Sequence, residues 1–444
     1  MKILIWDDFQ IVNSGGPSGY LYNIREYLKN HSSNHIVFLS DIKESIRVIN
    51  KGEPVSIVDS SSNNNDDNKT FIQKTYSILN DSDNLIIKKT LCIYHAIKRK
   101  LLTIKKNIKT HIESIQYFTK KQFAEPHYER LDINSLNEFD YIHFHIVVQF
   151  TRFKASYPEC KSKTILTSHS PCPYIKELIC SEKKWMRLFQ PLALKSESIA
   201  YRTCDYMMFP CREAMEPYNK VGIIRRALNS KKEKIFYVTT SILDFQSKID
   251  GCELRSKNGI PNNHFVITYF GRHSRIKGYD ILKKVGIDFL NKHKECTIVC
   301  AGKGDIEMPK HNRWIELGFI DNVNDYLSIS DIHVIPNRDT YFDIAMLEVL
   351  RAGKQVIISR TGGNKYFLKY PEEERSAIHY FNTNKYNELY NLLEEALLKK
   401  LKNDVIYRNN GYKNRTLFLN HFSLNDYYNN YIKQIESLKT STVN

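Results

Sequence analysis

Long apolar runs are missing from this 444-residue chain: nowhere do 18 consecutive apolar residues occur, so no helical membrane span is expected. The opening M-K-I-L-I-W-D-D-F stops being apolar at Trp6 and meets two Asp, too early for a signal peptide, and Ile3–Trp6 is expected to be a buried strand. Glycine and proline are scarce, at 17 and 13, which excludes collagenous and low-complexity classes. The nine cysteines (Cys92, Cys160, Cys172, Cys180, Cys204, Cys211, Cys252, Cys296 and Cys300) form no C-x-x-C pair and are odd in number. That argues against a zinc ribbon and a disulfide framework, and a reducing cytoplasm is expected. No G-x-G-x-x-G occurs, so the nicotinamide fingerprint is not met.

Acid is also in deficit. Against 65 Lys+Arg stand 49 Asp+Glu, a formal charge of +16, and such a balance favours nucleic acids, anionic membranes or phosphorylated substrates. No RNP, zinc-finger or KH signature accompanies it, so nucleic acid is not an expected partner. The densest basic run, 97–121, carries Ile97, Leu101, Ile104, Ile108, Ile112 and Ile115 at helical spacing with Lys between them. It is expected to be a surface helix, either packing its Ile stripe on the core or lying on an anionic membrane.

What is present is a globular α/β pattern. Hydrophobic residues make up 42% and charged residues 26%, and the length suggests two or three domains. Short apolar runs alternate with helical patterns, which predicts parallel sheets with crossover helices. Predicted strands are Ile3–Trp6, His35–Leu39, Tyr141–His145, Thr164–Ser168, Tyr206–Pro210 and Ile235–Thr239, then Phe265–Phe270, Cys296–Ala301, Trp314–Gly318, Ile332–Pro336 and Gln355–Ser359. Ser60–Lys69 reads as a polar surface loop. With a boundary near 240–252, two open α/β domains of similar size, 1–245 and 246–421, would face each other across a cleft. Ligands would bind beyond the carboxyl ends of the strands.

Several strand-end loops carry chemistry. I-V-N-S-G-G-P-S-G-Y follows the first strand, where Gly15 and Gly16 let backbone approach a ligand and a helix start faces an anion. I-H-F-H (Ile142–His145) and T-I-L-T-S-H-S (Thr164–Ser170) offer His143, His145 and His169. The first two read more readily as satisfied core residues, while His169 is placed for a substrate hydroxyl or a proton transfer. In Y-F-G-R-H-S-R-I-K-G-Y-D (Tyr269–Asp280), Arg272 and Lys277 flank a helix start at Gly278, a pair suited to a diphosphate whose charge grows as it leaves. A-G-K-G-D (Ala301–Asp305), L-G-F-I (Leu317–Ile320), D-I-H-V-I-P-N (Asp331–Asn337), F-D-I-A-M-L-E-V-L-R-A-G-K (Phe342–Lys354) and T-G-G-N-K (Thr361–Lys365) follow. Glu348, on a predicted helix past a strand end, could accept two ribose hydroxyls.

In this order the loops from Phe265 to Lys365 resemble the nucleotide-sugar domain of retaining GT-B glycosyltransferases, family 4 in particular. The Gly15-Gly16 loop, I-H-F-H and T-S-H-S-P are similar to that family's acceptor-domain landmarks. Phe422–Ile432 is similar to its last helix, so 422–444 is expected to cross back onto the first domain. The resemblance implies two facing Rossmann-like domains. It also implies transfer of a sugar from a nucleotide-diphosphate donor to a glycan or lipid-linked acceptor, with retention, no cofactor and no metal. Arg272 and Lys277 would grip the diphosphate, Glu348 the ribose, and Gly15 and Gly16 would close over the phosphates. His169 would stand near the transferred sugar, with further donor contacts at Gly302, Ile320, Asp343 and Ile344. In E-x7-E the first Glu falls on Thr340 with Asp339 beside it, and Tyr341 and Asp343 replace small residues, which implies an unusual sugar or a shifted role for Asp339. Bacterial surface polysaccharide or glycoconjugate synthesis, in the cytoplasm and peripheral to the inner face of a membrane, is the expected setting. The rivals are a metal-dependent enzyme using Asp81-Ser82-Asp83, a GT-B epimerase or phosphorylase, and a non-catalytic scaffold motivated by Thr340.

Overall fold

A computed structural model describes residues 1–13, 15–31, 35–42, 131–181, 184–247, 249–402 and 405–440. The basic 97–121 segment, the Ser60–Lys69 loop and Asp81–Asp83 lie outside them. The fold below belongs to the compact unit Met1–Ser40 with Glu125–Asn444. Only helices longer than two turns are numbered.

The first half runs β1 (Ile3–Trp6), α1 (Gly16–Asn30), β2 (Ile36–Phe38), β3 (Tyr141–Phe144), α2 (Val147–Ser156), β4 (Lys163–Leu166), α3 (Tyr174–Ser181), α4 (Gln190–Thr203), β5 (Tyr206–Phe209), α5 (Gly222–Asn229) and β6 (Ile235–Tyr237). Its six strands form one parallel sheet in the order β2-β1-β3-β4-β5-β6. The second half runs β7 (Phe265–Phe270), α6 (Tyr279–Lys292), β8 (Cys296–Ala301), β9 (Trp314–Glu316), β10 (Ile332–Ile335), α7 (Ile344–Arg351), β11 (Gln355–Ser359), β12 (Ile378–Phe381), α8 (Tyr386–Leu401), α9 (Val405–His421) and α10 (Leu424–Thr440). Its parallel sheet has the order β12-β11-β10-β7-β8-β9. The chain is thus α/β with two Rossmann-like domains.

Many strands are largely apolar, as expected of parallel sheets buried on both faces: all of β1, β7, β8 and β11 is buried. Several predicted strands end a residue or two early. At β5 and β10 the next residue is Pro210 or Pro336, which has no N–H for the ladder. A further strand, β12, was not read from sequence; its two middle residues are only half-buried at the sheet edge, so it lacks a continuous apolar run.

Two cores result. In the second half Phe265, Tyr279, Phe289, Ile298 and Trp314 pack with Leu389 and Leu393 of α8. In the first, Ile3, Ile5, Tyr20, Ile24 and Ile165 pack with Leu424, Tyr427, Tyr431 and Ile435 of α10, so the last helix completes the first core. No helix among the described residues is long and apolar enough to cross a membrane.

Candidate active site

The carboxyl ends of both sheets open on one cleft of about 970 Å³. Gly15, Gly16, His169, Arg272, Lys277, Gly302, Ile320, Thr340, Asp343, Ile344 and Glu348 all line it. Asp339 does not: its Oδ1 takes the Lys220 ammonium of the first domain at 3.0 Å. The Asp339 carboxylate thus lies outside the cleft, whose acidic lining residues are Glu177, Asp321, Asp343 and Glu348.

The second-domain wall starts from the loop after β7. Gly278 caps α6 with φ +68°, and a Cβ there would fall 1.9 Å from the Pro336 carbonyl oxygen, so only glycine lets this loop lie against the end of β10. Gly302, at φ +129°, likewise brings the loop after β8 onto the Gly271 carbonyl. Between these contacts the Arg272 side chain is 53% exposed and ion-pairs with Glu177 of α3, across the cleft. Lys277 donates to Asp343 Oδ2 at 2.6 Å, and Asn337 Nδ2 donates to the same oxygen at 2.7 Å. Burial pushes the Asp343 carboxyl up, but Lys277 and the Asn337 amide outweigh it and hold its pKa below the ordinary value. The Asp343 side chain also caps α7 through the Ala345 N–H at 3.4 Å.

Glu348, one turn into α7, makes no side-chain hydrogen bond among the described residues. Burial raises its pKa to about 7, partly opposed by Arg351 and reinforced by Asp343. Thr340 is buried and meets Thr361 Oγ1 at 3.5 Å, and its carbonyl accepts the Gly363 N–H at 3.0 Å. The slot expected for the first Glu is thus a short hydroxyl tied into the loop after β11.

The first-domain wall is built of neutral rings. His143 is core: Tyr431 Oη and Thr167 Oγ1 each lie 2.8 Å from one of its nitrogens. His169 adopts φ +54°, strained for a residue with a side chain. Tyr218 holds the loop on either side of it: its hydroxyl donates to the Ser170 carbonyl at 2.7 Å and lies 2.9 Å from the Ser168 hydroxyl. Glu197 sits behind, accepting from Tyr201 Oη at 2.5 Å and from the Tyr174 N–H; burial raises its pKa to about 7, with those donors pulling the other way. The Tyr20 ring lies 4.6 Å from that of His169. Burial lowers the His169 pKa to about 3.

Sequence reasoning missed Glu177, Lys220, Tyr218 and Glu197. Glu177 lies in the first turn of a helix after P-C-P, an ordinary place for an acid, and only the folded chain brings it to Arg272. Lys365 and Glu216 make a similar cross-domain pair at 2.7 Å.

Residues 264–394 match the family model described as Glycosyl transferases group 1. An uncharacterized glycosyltransferase of Methanocaldococcus jannaschii is 26% identical over 165 residues, covering 35% of this chain and 40% of that protein. An uncharacterized 41.2 kDa protein from the cps region of Klebsiella pneumoniae is 25% identical over 230 residues, covering 50% of this chain and 60% of its own. The matched stretches thus span about half the length of these relatives. Among solved structures, Anabaena Alr3699/HepE in complex with UDP and glucose superposes with a TM-score of 0.57 at 14% identity, covering 98% of this chain and all of that one. Sucrose-phosphate synthase from Thermosynechococcus elongatus gives 0.52 at 18% identity, covering 68% of this chain and 75% of the other. A Rickettsia africae glycosyltransferase gives 0.53 at 14%, with 98% of both chains covered. The chain thus has the GT-B fold, with residues 264–394 similar to glycosyl transferases group 1.

Proposed function

We propose that the protein transfers a sugar from a nucleotide-diphosphate sugar to a glycan or lipid-linked acceptor, with retention at the anomeric carbon and without a metal. The observation that carries this reading is one cleft holding Arg272 and Lys277 at the start of α6, Glu348 on α7 and neutral His169 on the opposite wall. The two cations are aimed where negative charge develops on the departing diphosphate, the role that usually supplies the largest catalytic contribution. Glu348 takes the ribose hydroxyls, and Gly15 and Gly16 bring backbone to the phosphates with Gly302, Ile320 and Ile344 around the nucleotide. The acceptor hydroxyl attacks from the face that the leaving group vacates. HepE, whose structures hold UDP with glucose and UDP-glucose, makes uridine sugars the first donors to try.

The cps-region relative supports a surface-polysaccharide setting. A peripheral site on the inner face of a membrane, in the cytoplasm, fits the basic charge. Besides the 97–121 segment, the exposed face of α4 and the turn before it carries Leu188, Leu192 and Ile199 among Arg187, Lys195 and Arg202, a surface suited to anionic lipid. Domain limits at 245 and 421 remain part of this proposal.

Thermal stabilisation across a panel of nucleoside diphosphates and their sugars, in EDTA, tests the donor site. A saturable rise with one base is expected. Anomeric analysis of the product of the matching sugar then tests retention. No shift with any of them would favour the non-catalytic scaffold that Thr340 suggested, and release of a free sugar isomer or sugar phosphate would favour an epimerase or phosphorylase.

A further inference from the structure

We infer that His145 locks His169 in one tautomer, with its proton on Nδ1 and facing the cleft, so that His169 acts as a hydrogen-bond donor to substrate oxygen. This assigns a mode of action within the site proposed above and rests on that reading for its functional half.

Three imidazoles from two neighbouring strand ends stack behind the cleft. The rings of His143 and His145 lie 4.1 Å apart and those of His145 and His169 5.1 Å apart. His143 has both nitrogens engaged, by Tyr431 and Thr167, and is fixed. His145 Nδ1 and His169 Nε2 are 2.9 Å apart, so one of the two carries the shared proton. The other nitrogen of His145, Nε2, is buried with no partner among the described residues.

Two arrangements satisfy the shared hydrogen bond. If His169 Nε2 donates, His145 must keep its own proton on Nε2, and an N–H is then buried without an acceptor. If His145 Nδ1 donates, the buried Nε2 is a bare lone pair. Orphaned N–H groups are the rarer and costlier case, so the second arrangement wins. A neutral imidazole carries one proton, so His169 must then hold its proton on Nδ1. That nitrogen makes no hydrogen bond among the described residues, and His169 lines the cleft. Burial keeps the rings neutral, drawing His169 down to about 3 and both His143 and His145 well below the usual range. A doubly protonated ring is thereby removed as a third arrangement.

The chemical consequence is directional. His169 offers an N–H to an oxygen of the sugar or acceptor and takes up no proton at that atom. His145, which reaches no substrate, is a positioning residue that sets this polarity.

The test is long-range proton–nitrogen NMR of ring nitrogens in the full chain labelled with [15N]histidine, assigned with His145→Gln and His169→Asn. Protonated Nδ1 and bare Nε2 on both His145 and His169 are expected; a His169 protonated on Nε2 would overturn the inference. In His145→Leu the locking donor is gone, so His169 should show mixed tautomers. Its kcat should fall about tenfold, the scale of one neutral hydrogen bond, with nucleoside-diphosphate affinity unchanged. His145→Gln, whose amide can donate, should recover most of that loss. Wild-type kcat with an unmoved His169 spectrum in His145→Leu would overturn the inference; should that variant fail to fold, the wild-type spectra decide. The spectra need no substrate, so a wild-type protein that transfers no sugar would defeat the functional reading and leave the tautomer result standing.

Discussion

The two walls of the cleft are built on opposite electrostatic plans. On the second-domain wall the charged groups dominate: Lys277 against Asp343, Arg272 against Glu177 reaching over from α3, and the Glu348 carboxyl on α7. On the first-domain wall, Glu177 apart, the anchors are neutral: His169 with His145 behind it at 2.9 Å, Tyr218 hydrogen-bonded to the loop on either side of His169, and the Tyr20 ring packed against it. Fixed charges suit a leaving diphosphate, whose charge rises during the reaction. Oriented neutral dipoles suit sugar and acceptor hydroxyls, whose charge changes little. A GT-B cleft can thus divide its work between its domains by the kind of force each supplies.

The sharpest way to break this contrast is to strip charge from one wall. Arg272→Ala combined with Lys277→Ala should lower transfer by about 10⁴-fold or more, taking roughly 10²–10³ for each preorganised donor. A cooperative melt retained in that variant would show that the chain still folds; near-normal turnover would sink the donor-site assignment. His169→Ala on the neutral wall should cost much less, about 10-fold to 100-fold in kcat. Equal losses on the two walls would erase the distinction.

Glu348 sharpens it through pH. Its carboxyl must ionise to accept ribose hydroxyls, so nucleoside-diphosphate affinity should rise several-fold as pH climbs through about 7, and Glu348→Gln should flatten that rise. Stability moves the other way. A folded-state pKa above the unfolded value of 4.5 means that the native state holds the extra proton, so this contribution is complete below 4.5 and lost as pH passes 7. Glu348→Gln should therefore melt higher than wild type at pH 8 and close to it at pH 5. The smallest effect belongs to Glu177. Arg272 is half exposed, and such pairs are worth about 0.2–1 kcal/mol, so freeing it by Glu177→Gln should tighten nucleoside-diphosphate binding by about threefold. Weaker binding would show that Glu177 helps the donor rather than competing with it.

The sheets were legible because buried parallel strands are written as solid apolar blocks such as I-L-I-W and F-V-I-T-Y-F, which no turn residue interrupts. The half-buried edge strand Ile378–Phe381 has no such block and was missed. On the second-domain wall, Arg272 and Lys277 were readable as loop residues just past the end of β7, and Glu348 as a residue of the helix after β10; all three line the cleft. The partners of those residues could not: Glu177 lies 95 positions from Arg272 and Lys220 lies 119 from Asp339. Nor could the tautomer of His169, which depends on a nitrogen of His145 that only packing buries.

The place of Tyr431 has a consequence for synthesis. The ribosome makes the first domain first, yet part of its core and a partner of His143 come from residues 424–438, made only after the second domain. The second domain, contiguous in sequence, can fold while the first still waits with an open flank. Order of synthesis and order of completion are therefore reversed, and an unfinished chain would expose to chaperones the face that α10 later covers.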